Sequence, residues 1–233
     1  KHYTEKLVKL PNLGTWISPI QPAPPVWSRT DFNIPEDCDL YLSCQSLFKL
    51  LPKDDALIVA IAAKNPRAQF AFICHPNKTV TKDFVNRLKA AFEAEGLNLV
   101  ERLHMLPRLN QHDYLCVNQL ADVFLDNPSW SGGMTTIEAI ACGLVPVTIP
   151  GPLMRQRHSA AILTQIEATQ TIARNEQDYV DIAVRLGTDL EFRQSVKARI
   201  AQNHHSLFQD QQALSALETF LIRKVSRMVR EAA

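Results

Sequence analysis

Apolar positions along the chain change their period repeatedly, and each change marks an element. Short apolar runs at residues 40–44, 69–74, 97–103, 122–125 and 145–149 are too brief for helices and read as buried strands. Between them, residues 54–64, 82–95, 111–120 and 135–142 carry apolar side chains at helical spacing, with Gly96 and Gly143 closing two of the segments. Strands alternating with helices of this length imply βαβ units and a parallel sheet covered on both faces. The predicted fold class is therefore α/β, a doubly wound parallel sheet, followed by trailing helices over residues 155–164, 176–186, 189–204 and 211–230.

The start of the chain breaks this pattern. Pro11, Pro19, Pro22, Pro24, Pro25 and Pro35, with Trp16 and Trp27 among them, exclude a long helix or a central strand. Residues 1–36 are expected to form an extended proline-rich linker, residues 37–205 a ligand-binding domain, and residues 206–233 a closing helix. Because the chain opens on Lys1 and residues 2–7 read as the middle of a sequence, a preceding segment is expected.

Composition narrows the function classes. The 233 residues are 46% hydrophobic and 21% charged, with a net charge of +1, which suits a globular core and gives no broad field for nucleic acid or a membrane surface. Cys38, Cys44, Cys74, Cys116 and Cys142 are odd in number and lie mostly in apolar runs, as free thiols do in a reducing compartment. They predict the cytoplasm and neither disulfides nor a zinc site. No apolar stretch approaches the roughly 18 residues of a spanning helix.

Ligands of open parallel sheets bind outside the carboxyl ends of the strands. The run 122–126 opens there into Asn127-Pro128-Ser129-Trp130-Ser131-Gly132-Gly133-Met134-Thr135 before a helix begins. Adjacent glycines let backbone amides approach a ligand, and a helix start adds unpaired N–H groups and a positive dipole end. A diphosphate fits such a turn. One helix end stabilises an anion by only about 0.3–1 kcal/mol, up to about 2 when partly buried, so other donors are required. Glu138 shares a helix face with Met134 and Thr135 and is placed to accept hydrogen bonds from a ribose diol. By itself it equally fits an acid favourable to the dipole beside a merely tight turn. Lys49, after the first strand, could neutralise a diphosphate or simply be solvated. Arg108 and Leu109, after the third strand, offer backbone toward a base.

Three segments together carry a resemblance. The run 119–126, the Gly132-Gly133-x-Thr135 turn with Glu138, and Gly143-x-x-Pro146-Val147-Thr148-x-Pro150-Gly151 resemble the O-linked N-acetylglucosamine transferase and SPINDLY-like family. Ile172-Ala173-Arg174-Asn175 with Tyr179, Ile182, Ala183 and Leu186-Gly187-Thr188-Asp189 extends the match, and Tyr3-x-Glu5-x-Leu7 is similar to that family's exit from its first lobe. The likeness runs through the whole chain, more loosely in the proline-rich stretch. It implies the GT-B architecture, with this chain as the second, nucleotide-sugar-binding Rossmann-like lobe. Its final helix would cross back toward a first lobe, itself often preceded by tetratricopeptide repeats.

The resemblance also implies inverting transfer of a sugar, typically N-acetylglucosamine, from UDP to a protein Ser or Thr hydroxyl, without a metal or other cofactor. SPINDLY-type relatives use GDP-fucose. By position it implies Lys49 as the diphosphate-contacting, catalytic lysine and Glu138 as the ribose-holding acid. Gly133, Met134 and Thr135 fall at the phosphate-binding helix start, where many relatives carry His-Thr-Thr. Ser46 stands where a glutamine is common, with Gln45 beside it, and Gln111 where a base-clamping lysine is usual. The expected donor site is thus Gln45, Ser46, Lys49, Arg108, Leu109, Gly133, Met134, Thr135 and Glu138, with no metal ligand. No general base is assigned among His104, His112 and His158, and Arg155 and Arg157 read as surface ion-pairing residues. A UDP-sugar epimerase and a non-catalytic interaction lobe are the other readings that this scaffold allows.

Overall fold

A computed structural model describes residues 4–232; Tyr3 of the Tyr3-x-Glu5-x-Leu7 motif lies outside them, as do the first three and the last residue of the expected linker and closing helix. Five strands, β1 (Asp39–Ser43), β2 (Ala68–Ile73), β3 (Leu103–Leu106), β4 (Val123–Leu125) and β5 (Val145–Val147), form one sheet in the order β3-β2-β1-β4-β5. Every pair is parallel. β1, β4 and β5 are buried at every position, as strands covered on both faces must be. The period of two decides which face each side chain joins. Tyr41, Phe70, Phe72, Val123 and Leu125 pack on one face, and Leu40, Leu42, Ala71 and Phe124 on the other.

The first face is covered by α1 (Asp55–Lys64), α2 (Lys78–Ala94) and α6 (Glu176–Thr188), and the second by α3 (Gln111–Leu120) with part of α4 (Met134–Ala141). α5 (His158–Gln165), α7 (Leu190–Asn203) and α8 (Gln211–Ala232) follow. No described helix is long and apolar enough to cross a membrane. All five cysteines are free.

Local hydrogen bonding shifts three expected elements. Residues 97–102 are not the expected strand: Gly96 ends α2 at φ +69°, Asn98 Oδ1 accepts from the Val100 amide at 3.0 Å, and the Arg102 amide donates to Leu99 O at 2.9 Å. The apolar Leu97 and Leu99 pack on the core from a turn, because side-chain capping of the backbone competes with the ladder. α2 begins at Lys78, ahead of its periodic stretch, since Asn77 Oδ1 accepts from the Thr79 amide at 2.9 Å, an N-cap. The expected helix 155–164 divides into one 3-10 turn at Met154–Gln156 and α5.

Residues 15–28 have no regular secondary structure and run beside α3. Trp27 Nε1 donates to Asp113 Oδ1 at 2.9 Å, and Gln119 Nε2 to Ala23 O at 2.9 Å. Arg29 anchors this stretch, donating to Leu120 O at 2.8 Å and Asp122 Oδ2 at 2.8 Å.

Candidate functional site

The strand order places a switch point between β1 and β4: the chain winds from β1 toward β2 and β3 on one side, and toward β4 and β5 on the other. Loops leaving the carboxyl ends of these two strands diverge and open a crevice, the general ligand position of such sheets. Asn127 Nδ2 donates to Lys49 O at 2.7 Å, which ties the two loops together. Leu47, buried in the intervening 3-10 turn, holds the β1 loop down.

The glycine turn is held by a fully buried carboxylate. Asp126 Oδ1 accepts from the Gly132 amide at 2.7 Å, and its Oδ2 accepts from Ser131 Oγ at 2.8 Å and Thr148 Oγ1 at 2.6 Å. Burial pushes the Asp126 carboxyl above the usual carboxylate range, and these hydrogen bonds oppose the shift. Tyr179 Oη of α6 donates to Asp126 O at 2.8 Å, so the end of β4 is fixed from two sides. A Cβ at residue 132 would stand 2.6 Å from Thr135 Oγ1 and 3.2 Å from Gln45 Nε2. Glycine is therefore required at 132 for this close approach.

After the turn, α4 begins at Met134, and the amides of Thr136 and Ile137 bond to Gly133 O. Those of Gly133, Met134 and Thr135 have no partner among the described residues. These three N–H groups, at the positive end of the helix dipole, form a donor cluster of the kind that suits an anion. Facing them, Gln45 Nε2 donates to Thr135 Oγ1 at 3.3 Å, and Lys49 Nζ donates to Gln45 Oε1 at 3.4 Å. Lys49 Nζ also lies 4.9 Å from the ring centre of Trp130, whose ring has Arg155 Cζ at 5.5 Å.

One turn along α4, Glu138 Oε1 accepts from Gln111 Nε2 at 3.0 Å. The two side chains line an open cavity of about 230 Å³ together with Arg108, Leu109, Ile73 and Tyr114. The residues named from sequence thus fall into two linked groups. Gln45, Lys49, Gly133, Met134 and Thr135 gather at the start of α4; Arg108, Leu109 and Glu138 gather around the cavity, with α4 joining the two. Ser46 is exposed and contributes its carbonyl to the Lys49 amide at 2.8 Å, without a side-chain bond to the others.

Asp126, Trp130 and the hydroxyls that hold the turn are features that sequence reasoning passed over. An acid closing an apolar run just before Ser-Gly-Gly was the available signal for Asp126. Nothing local pointed to both Lys49 and Arg155 lying against the Trp130 ring.

Sheet order and strand-end crevice define the class, a Rossmann-like α/β lobe. The glycosyl transferase family 41 profile matches residues 18–217, and the chain belongs to that family. A UDP-N-acetylglucosamine--peptide N-acetylglucosaminyltransferase of Caenorhabditis elegans is 26% identical over 199 residues, covering 83% of this chain and 16% of its own length. A probable enzyme of the same description, SPINDLY of Solanum lycopersicum, is 27% identical over 189 residues, with 81% and 20% covered. Among solved structures, a Thermobaculum terrenum O-GlcNAc transferase mutant superposes with a TM-score of 0.76 at 26% identity, covering 99% of this chain and 43% of that one. The chain therefore spans a fifth or less of these two curated relatives, and matches the GT-B Rossmann-like lobe of the transferase fold.

Proposed function

We propose that this lobe binds the donor of a glycosyltransferase, a UDP-sugar with N-acetylglucosamine as the favoured hexose, for transfer to a Ser or Thr hydroxyl of a peptide. The carrying observation is the free amide cluster of Gly133, Met134 and Thr135 facing Lys49 across the β1/β4 crevice. Glu138 stands one turn further on, beside the open cavity of about 230 Å³. The arrangement supports diphosphate at the helix start, ribose at Glu138 and the base along Arg108 and Leu109. The names of the relatives, each a UDP-N-acetylglucosamine peptide transferase, support the donor and acceptor class.

In the reaction, the acceptor oxygen attacks the anomeric carbon as the bond from that carbon to the diphosphate oxygen breaks, which inverts the centre. The electron pair leaves on UDP, and the acceptor's proton passes to a base outside this set. The amide cluster and Lys49 stabilise the charge that grows on the leaving group, an interaction stronger in the transition state than in the ground state. No metal is needed for that task. A first lobe would supply the acceptor-side groups, with α8 crossing toward it and residues 1–36 as the connection. The free cysteines fit a cytoplasmic setting.

Calorimetry with UDP tests the assignment. Lys49→Ala and Glu138→Ala are each expected to weaken UDP binding by about tenfold or more, the scale of losing a bond to a charged group, with melting temperatures unchanged. Unchanged UDP affinity in either variant removes that residue from the site. A thermal-shift panel of UDP, GDP, UDP-N-acetylglucosamine and UDP-glucose fixes base and sugar, since a ligand raises stability by RT ln(1 + [L]/Kd).

A further inference from the structure

The helix start at Met134 has a second helix start beside it. α5 begins at His158, and the next residue is bonded into the glycine turn: the Ser159 amide donates to Ser131 Oγ at 2.9 Å, and Ser159 Oγ donates to Gly132 O at 3.1 Å. Ser159 Oγ also pairs with Thr136 Oγ1 at 2.7 Å. The loop before α5 is tied in as well, because Arg155 O accepts from the Ser131 amide at 2.8 Å. The N-termini of α4 and α5 therefore converge, and their positive ends add at one place.

Residue 133, the cap of α4, has no side chain. The single described group within contact distance of where its Cβ would stand is His158 Nδ1, at 3.7 Å. The half-buried His158 ring has no hydrogen bond or ion pair with any described residue, and so offers its nitrogens to a ligand at the α4 start. The nearby side chains are cationic: Lys49 and Arg155 both stand against Trp130. A dianionic group is what such a junction accommodates.

We propose that His158 is a ligand of the donor's diphosphate, filling from α5 the space left open by the missing side chain at Gly133. The inference rests on the reading of this crevice as a nucleotide-sugar site and adds a residue to it. An imidazole N–H donating to a phosphate oxygen makes a charge-assisted bond, and in the imidazolium form it adds positive charge beside the amide cluster. Since the contact is to phosphate alone, it discriminates UDP from uridine.

Calorimetric titration of the protein with UDP and with uridine, in parallel, provides the test. His158→Ala is expected to weaken UDP about tenfold and to leave uridine unchanged. His158→Leu, which keeps much of the side chain's size but has no donor, checks the same loss if the alanine variant folds poorly. Adding Gly133→His to His158→Ala is expected to recover most of the UDP affinity, because an imidazole then enters the same gap from α4. Equal UDP affinity in the protein and both His158 variants overturns the proposal while leaving the nucleotide reading standing. So does an equal loss for UDP and uridine, or no recovery in the double variant. If the unaltered protein binds neither UDP nor GDP, the nucleotide reading fails and His158's role fails with it.

Discussion

At the scale of single residues, the shape of the glycine turn depends on one buried carboxylate. Asp126 gathers the Gly132 amide and the hydroxyls of Ser131 and Thr148, so the direction of the free amides at the α4 start is set from beneath. Its burial raises its pKa, and the sign of the stability effect follows. A carboxyl raised above its unfolded value of about 3.9 contributes stability fully below that value and loses it as pH rises through the folded value. Asp126→Asn cannot titrate, so the stability of the protein relative to this variant should grow as pH falls from neutral to about 4, the unfolded carboxyl value. Urea melts of both proteins at the two pH values measure this directly, and the comparison cancels the many surface carboxylates they share. A difference independent of pH would mean that the donors surrounding Asp126 outweigh its burial.

At the scale of elements, α6 comes close to β1 because residue 187 is glycine. A Cβ there would meet Tyr41 Oη, with Tyr41 Cζ at 3.0 Å and Asn65 Nδ2 at 3.2 Å. The Tyr41 hydroxyl is already committed, donating to Ala183 O at 3.1 Å and accepting from Asn65 Nδ2 at 3.1 Å. Alanine ordinarily stabilises a helix interior relative to glycine by about 0.5–1 kcal/mol, but overpacking a filled core costs about 1–3 kcal/mol. The second effect should win, and Gly187→Ala should lower the melting temperature by about 2–4 °C for each kcal/mol lost. Calorimetry showing an equal or higher melting temperature would mean that Tyr41 moves aside. The same element shows what a sequence carries: Leu186-Gly187-Thr188-Asp189 stands out as a motif, while the reason for its glycine lies on a strand more than a hundred residues away in the chain. Strands and helices are legible where apolar period is the dominant signal. The strand expected at 97–103 fails because Asn98 and Gly96 impose a turn on apolar residues. Within the site, Gly132, Gly133, Lys49 and Glu138 are visible through local chemistry. The bonds from Asp126 to Thr148 and from Ser131 to Ser159 join positions 22 and 28 residues apart and exist only once the sheet order is fixed.

At the scale of the whole molecule, most of α8 is exposed. Its start is pinned: Asp210 Oδ1 accepts from the Gln212 amide at 2.9 Å, Asp210 Oδ2 accepts from Asn12 Nδ2 at 2.9 Å, and Ala213 is buried. Beyond that, Leu217, Leu221, Val225 and Met228 recur at helical spacing and are exposed, Met228 to 68%. An apolar stripe in water adds little to the stability of this chain, so substituting it is expected to change the unfolding free energy by no more than about 0.5 kcal/mol. Under the two-lobe reading the stripe is instead the contact with the acceptor-side lobe. The variant Leu221→Gln/Val225→Gln/Met228→Gln keeps good helix formers on the surface and separates these roles. In a protein carrying both lobes it should leave UDP affinity unchanged and lower the rate of sugar transfer by about tenfold or more, equivalent to about 1.4 kcal/mol. Transfer at the full rate would free α8 from any part in bringing the lobes together. A fall in UDP affinity matching the fall in transfer would assign the helix to the donor site instead.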